Sequence, residues 1–245
     1  MLHTVGPVKL GDHDRANRPM KRAVTGIVRR FRMRIEDEAF PCVGAKAAMA
    51  KDHLHMIAAG DLRSAASDVA VVAALQAFAK DTSRDALFVS AVVLFGRTPA
   101  LDEVAFERAL WERLRSFHAL DRVDHSWDAS VSADSGSPHF SLSLGGRAFY
   151  VVGLHPGANR VARRFCCAAL VFNLHSQFEA LRAEGRYEKL REAITLRDIA
   201  YSGSRNPMLA AHGTVSEARQ YSGREVDAAW RCPFPVDSGK DHDGA

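Results

Sequence analysis

Long apolar runs are missing from this sequence. No window approaches the roughly 18 consecutive apolar residues that span a bilayer, which excludes a helical membrane protein. The opening stretch, MLHTVGPVKLGDHDRANRPMKR, has no apolar h-region, so no signal peptide is expected and the compartment is read as cytoplasmic and reducing. Cysteine is scarce. There are four, Cys42, Cys166, Cys167 and Cys232, with no CxxC among them, and this excludes a disulfide framework and a finger-like zinc site. An excess of one charge is lacking too. Thirty-three Lys and Arg against 29 Asp and Glu leave +4, which permits nucleic-acid binding without requiring it. Also absent are GxGxxG after a strand, a Walker A loop, a GxSxG elbow and HExxH. The chain carries no recognisable nucleotide, flavin or iron–sulfur module.

What is present is 47% apolar and 25% charged residues over 245 positions, the balance of a globular domain with a sizeable core. Residues 1–22 read as a flexible polar arm, 23–236 as one domain and 237–245 as a disordered tail. Short helices are expected at 45–51 and 62–80, the latter with Leu62, Val69, Val72 and Ala79 along one side. LFVSAVVLF (87–95) reads as a buried strand, and Asp102 as the cap of a helix whose Phe106, Leu110, Leu114 and Phe117 repeat at helical spacing. His118 at its end is expected at the surface. FSLSL, Gly145-Gly146 and RAFYVVGL form a hairpin. A third strand at 168–173 and helices at 177–183 and 187–201 follow. Strands and helices in this irregular order predict an α+β fold, a single domain with a mostly antiparallel sheet packed with several helices.

Chemistry concentrates where arginine meets His, Cys or carboxylate. In LHPGANRVARRF, His155 ends a strand and Arg160, Arg163 and Arg164 follow a Pro-Gly turn. If the turn opens a helix, the three guanidiniums share one side and cradle carboxylates or phosphates. A solvated basic turn explains the same residues. In GSRNPMLAAHGTVSEARQYSGR, Asn206, Glu217 and Tyr221 lie in a long polar segment of the kind that often carries function. DHLH (52–55) reads as exposed loop rather than a metal site, and the two cysteines of FCCAALVF as small core residues.

Together FPCVGAKAA, LHPGANRVARRF, LVFNLHSQFEALRAEGRYEKLREAI, RD (197–198), GSRNPML, SEARQYSGR and WRCPF resemble, in this order, the YqcI/YcgG family. That family includes heme-dependent N-hydroxylases of arginine and arginine-derived guanidines. The resemblance implies a cytoplasmic monooxygenase with one noncovalent heme b, since there is no CxxCH. It implies a small-molecule guanidine substrate, O2 and an external electron donor, with no nucleic acid and no membrane as partner, and it leaves a homodimer open.

For such a cofactor, Cys42 is the first choice of axial iron ligand and His155 the second. Arg160, Arg163 and Arg164 would pair with the propionates. Glu217 would hold a guanidinium by parallel charge-assisted hydrogen bonds, with Asn206 and Tyr221 nearby. Two other readings stay open: a heme carrier or sensor without turnover, and a nucleic-acid binder using the arginine turn.

Overall fold

The computed structural model describes residues 13–209 and 213–234. Its helices are α1 (His13–Glu36), α2 (Val43–Ala50), α3 (Asp68–Asp81), α4 (Glu103–Asp121), α5 (His175–Ala183) and α6 (Tyr187–Ser202). Its strands are β1 (Leu54–Ala59), β2 (Ser90–Phe95), β3 (Leu142–Leu144), β4 (Arg147–Leu154) and β5 (Ala168–Leu174). Three short 3-10 turns, Ala65–Ser67, Val161–Arg163 and Glu217–Gln220, link them. The strands form one sheet in the order β1-β2-β5-β4-β3. β1 runs parallel to β2, across the connection that α3 supplies, and the other three pairings are antiparallel. The fold is α+β with a mostly antiparallel sheet, as the sequence predicts. No helix among the described residues is long and apolar enough to cross a membrane.

Local chemistry explains most element ends. Asp102 accepts the Ala105 N–H at 2.7 Å and starts α4, whose Phe106, Leu110, Leu114 and Phe117 are all buried. Gly145 and Gly146, at φ +59° and +66°, make the two-residue turn between β3 and β4.

Several expectations need correction. The helix read at 62–80 starts at Asp68, after a 3-10 turn capped by the Ser64 hydroxyl. Val69 faces solvent, and Val71, Val72, Leu75 and Phe78 form the buried side. DHLH runs into β1, an edge strand, and is not a loop. The strand read from 87 begins at Ser90, because Phe88 sits at φ +55°, a conformation that bulky side chains rarely adopt. Helix α1 starts at His13, inside the stretch read as a polar arm; residues 1–12 and the tail 237–245 lie outside the described residues. Arginines mask its apolar stripe, Ile27, Phe31 and Ile35 at i, i+4 and i+8. His118 is not at the surface either: it packs between Trp127 and Phe234.

Successive residues of a strand point to opposite faces, and the two faces of this sheet differ. One takes Ala91, Val93 and Phe95 of β2, Leu170 and Phe172 of β5, and Phe149 and Val151 of β4. Helices α3 and α4 cover it, together with Tyr221 and Phe234 of the C-terminal segment. The other takes Leu54, Val92, Leu94, Leu154 and Ala169 with α1 and α2, and its remaining positions, Ser90, Tyr150, Val152, Val171 and Asn173, face open space.

Candidate functional site

That space is a cavity of about 310 Å³ under the second face, walled by α1, α2, α5 and α6. Its lining is mostly apolar, with rings from Phe31, Phe40, Phe88 and Phe178. Ser90 and Asn173 form a polar floor, joined by a 2.7 Å hydrogen bond from the Ser90 hydroxyl to the Asn173 side-chain oxygen Oδ1. The unusual backbone of Phe88 turns its ring into the wall at the mouth of β2.

Cys42 lines this cavity. It is the N-cap of α2, and its Sγ accepts the Ala45 N–H at 3.4 Å. Burial pushes the thiol up, while the Ala45 and Gly44 N–H groups and the Arg163 charge oppose the shift. The resting group is therefore a protonated thiol set among the donors that stabilise a thiolate, and a metal cation would tip the balance. Arg197 fixes the loop that carries it by donating to the carbonyls of Phe40, at 3.1 Å, and Glu38. Asp198 beside it takes Arg160, through Nε at 2.9 Å. The RD pair thus ties two separate segments to α6.

Two guanidiniums face the cavity. Arg163 donates to the carbonyls of Gly153 (3.1 Å) and Gln220 (3.0 Å) and hydrogen-bonds the Tyr150 hydroxyl. None of its hydrogen bonds ends on a carboxylate among the described residues. Burial lowers its pKa, the mark of a charge short of solvent. Arg34 donates to the Val161 carbonyl at 2.7 Å, and its Nε is a buried donor with no partner. Gly153 must lack a side chain here: a Cβ would lie 2.9 Å from the Tyr221 carbonyl, whose approach brings the Glu217–Gln220 turn against β4.

A second cavity of about 230 Å³ adjoins the first. Tyr150, Phe178, Leu190, Ile194 and Gln220 line both. Glu217 lies in this smaller space, accepting the Ser141 hydroxyl at 3.4 Å. Burial raises its carboxyl to about 7, with the Arg182 charge working against the shift. At neutral pH this carboxyl is near the midpoint of its ionisation, and Arg182 and Arg191 line the same space.

The predicted site residues separate into two groups. Cys42, Arg163 and Asn206 line the larger cavity and Glu217 the smaller. The Asn206 side chain already accepts the Met208 N–H at 3.0 Å. The others belong elsewhere. His155 is on the opposite face of the sheet, stacked on Phe106 at 4.1 Å, and so cannot reach a group beside Cys42. Tyr221 is fully buried on that face too, stacked on Trp111 and hydrogen-bonded to Phe149 and Leu142; it holds the fold, not a ligand. Arg160 is taken by Asp198 and the Ser204 carbonyl, and Arg164 bonds the carbonyls of Ala158 and Asn159 outside the cavity. The arginine turn is a single 3-10 turn rather than a helix, so its guanidiniums diverge. Cys167 is buried as expected, whereas Cys166 is exposed.

Sequence reasoning missed Arg34, Tyr150, Phe88 and Arg197. The first three come from segments with no motif, and RD alone does not reveal what it clasps. No three His, Cys, Asp or Glu side chains converge as a metal-binding group among the described residues. A metal beside Cys42 would thus need most of its ligands from outside the protein. A soft donor, aromatic walls and two guanidiniums whose hydrogen bonds end on no carboxylate suit a flat apolar macrocycle that brings its own ligands and carries acidic side arms.

Residues 31–235 match the sequence model of the YqcI/YcgG family, a span that contains both cavities. No curated protein and no solved structure matches the chain.

Proposed function

The chain belongs to the YqcI/YcgG family, and from that premise we propose that it is a heme-dependent monooxygenase hydroxylating a guanidine nitrogen of arginine or a small arginine-derived molecule. The observation that carries this reading is the adjacency of two cavities, one with a thiol and free guanidinium valence, the other with a carboxylate. Cys42 would hold the iron of heme b, and Arg163 and Arg34 would receive the propionates in place of Arg160 and Arg164. When bound, the heme supplies O2 activation with electrons from an external donor.

The chain's own residues do the rest. Glu217 binds the guanidinium and orients it by charge-assisted hydrogen bonds. Tyr150 and Gln220, joined by a 3.1 Å hydrogen bond, stand at the boundary between the two spaces and limit how far a substrate reaches toward the larger one. Phe178 and Leu190 exclude water there. A reducing cytoplasm would keep Cys42 available.

The test is hemin titration followed by arginine. A saturable Soret shift, then a spectral change on adding arginine that is lost in Glu217→Gln, supports the reading. Mass spectrometry with a surrogate reductase should find arginine plus one oxygen. Heme binding without any guanidine response would favour a carrier or sensor, and no saturable hemin binding would overturn both.

A further inference from the structure

Several arginines at or near the surface of this protein pair with an acid. Arg32 pairs with Asp52 at 3.0 Å, Arg63 with Asp61 at 2.6 Å, Arg186 with Glu184 at 2.6 Å, and Arg191 with Glu188 at 3.3 Å. One cleft gathers arginines that do not. Arg30 and Arg34, one turn apart on α1, meet Pro156, Arg164, Phe165 and Cys166 around an open cleft of about 370 Å³. No carboxylate lines it. Among the described residues, no ion pair joins Arg30, Arg34 or Arg164 to an acid, and the hydrogen bonds of the latter two end on backbone carbonyls. Asp37 is close enough to influence Arg34 but bonds the Ala39 N–H instead. Beside the cleft, at i+3 from Arg30, Met33 is 54% exposed. Pro156 and Phe165 between the arginines give the cleft apolar ground, the anatomy of a protein-binding surface rather than of a site for a small anion.

The cleft also has a position relative to the cavity. Arg34 lines both, so one side chain separates the outside surface from the space that Cys42 faces. Phe165, at the cleft, packs edge-on to Phe31 of the cavity wall at 5.3 Å. A chain without a redox module must receive electrons through its surface, and here the wall is thin and positively charged.

We propose that this cleft is the docking surface for an acidic one-electron carrier protein. The inference rests on the heme-dependent reading for its purpose, but the docking itself does not depend on bound heme. Arg30 and Arg164, joined by Arg34 when no propionate holds it, select an acidic partner by charge complementarity and speed its encounter, and the contact weakens as salt screens them.

The experiment titrates the full chain, with and without hemin, against an acidic [2Fe–2S] ferredoxin, with a basic c-type cytochrome as charge control. Binding is read by calorimetry at two salt concentrations. Saturable one-to-one binding of the ferredoxin alone is expected, weaker at the higher salt. The double variant Arg30→Glu/Arg164→Glu should weaken it by about tenfold or more. It should leave hemin titration unchanged, since neither residue lines the cavity. Charge reversal at Arg63 and Arg186, which are paired elsewhere, should have little effect. Ferredoxin binding equal in the double variant and the native chain, no ferredoxin binding at all, or preference for a short DNA duplex would each overturn the proposal. Ferredoxin binding lost in the double variant, in a chain that fails to bind hemin, would sustain the surface and overturn the heme reading alone.

Discussion

The two faces of the sheet are built from the same alternating strands and finish differently. Under α3 and α4 every position is filled: Trp111, Phe106, Phe140, Phe149 and Tyr221 interlock as rings, and the Tyr221 hydroxyl has both its donor and its acceptor satisfied. Under α1, α2, α5 and α6 the sheet presents Ser90, Tyr150 and Asn173 to a hollow edged by a thiol and guanidiniums. A fold that can fill one face so completely does not leave the other open for want of apolar residues. The hollow is where ligand chemistry is to be expected, and the filled face provides the stability that lets it stay open.

The sharpest way to break this contrast is to truncate one ring on each side. Trp111→Ala should cost about 3–5 kcal/mol and lower the melting temperature by many degrees, without changing hemin stoichiometry in the folded fraction. Phe178→Ala should cost much less stability, since its ring already borders empty space, yet weaken hemin binding. Equal destabilisation by the two would mean the cavity closes in solution. Next in size, Tyr221→Phe leaves the Leu142 N–H without its acceptor and should cost about 1–3 kcal/mol in denaturant titration, with hemin and arginine responses intact. A lost arginine response would return Tyr221 to the substrate site.

His155→Ala should remove a buried stacked ring and destabilise by about 0.5–3 kcal/mol. The spectrum of added hemin should stay that of the native chain, and any change in iron ligation would contradict the placement of His155 on the filled face.

The smallest effect is in pH. Burial raises the Glu217 carboxyl to about 7 from an unfolded value near 4.5, so between these the folded state holds the extra proton. Stability from this group therefore falls as pH rises through that window, and Glu217→Gln should flatten the slope. Arginine binding runs the opposite way, strengthening as pH rises through about 7 while the carboxylate forms. Calorimetric titration at pH 6 and pH 8 reads this directly, and a pH-independent affinity would remove Glu217 as the anchor.

The filled face was the legible one. Phe106, Leu110, Leu114 and Phe117, and the alternation of FSLSL, announce themselves because dense packing imposes a period on the sequence. The hollow face imposes none. Its walls come from α1, hidden under arginines, from β1, disguised by two histidines, and from Phe88, whose left-handed backbone ends the apparent strand early. Cys42 and Glu217 were found because they sit in motifs, but Tyr150 is one residue from the filled-face Phe149 and differs from it only in the direction of the pleat. Arg163 was found with two neighbours that point elsewhere, since spacing within a turn does not fix where long side chains end.

Cys42, from the hollow face, is the proposed ligand of heme iron. The direct measurement is the ferrous–CO spectrum of the hemin-loaded chain beside those of Cys42→Ala and His155→Ala. That assignment predicts the red-shifted Soret band of a thiolate-ligated heme in the native chain and in His155→Ala, and its loss in Cys42→Ala. A native spectrum that survives in Cys42→Ala and disappears in His155→Ala would contradict it.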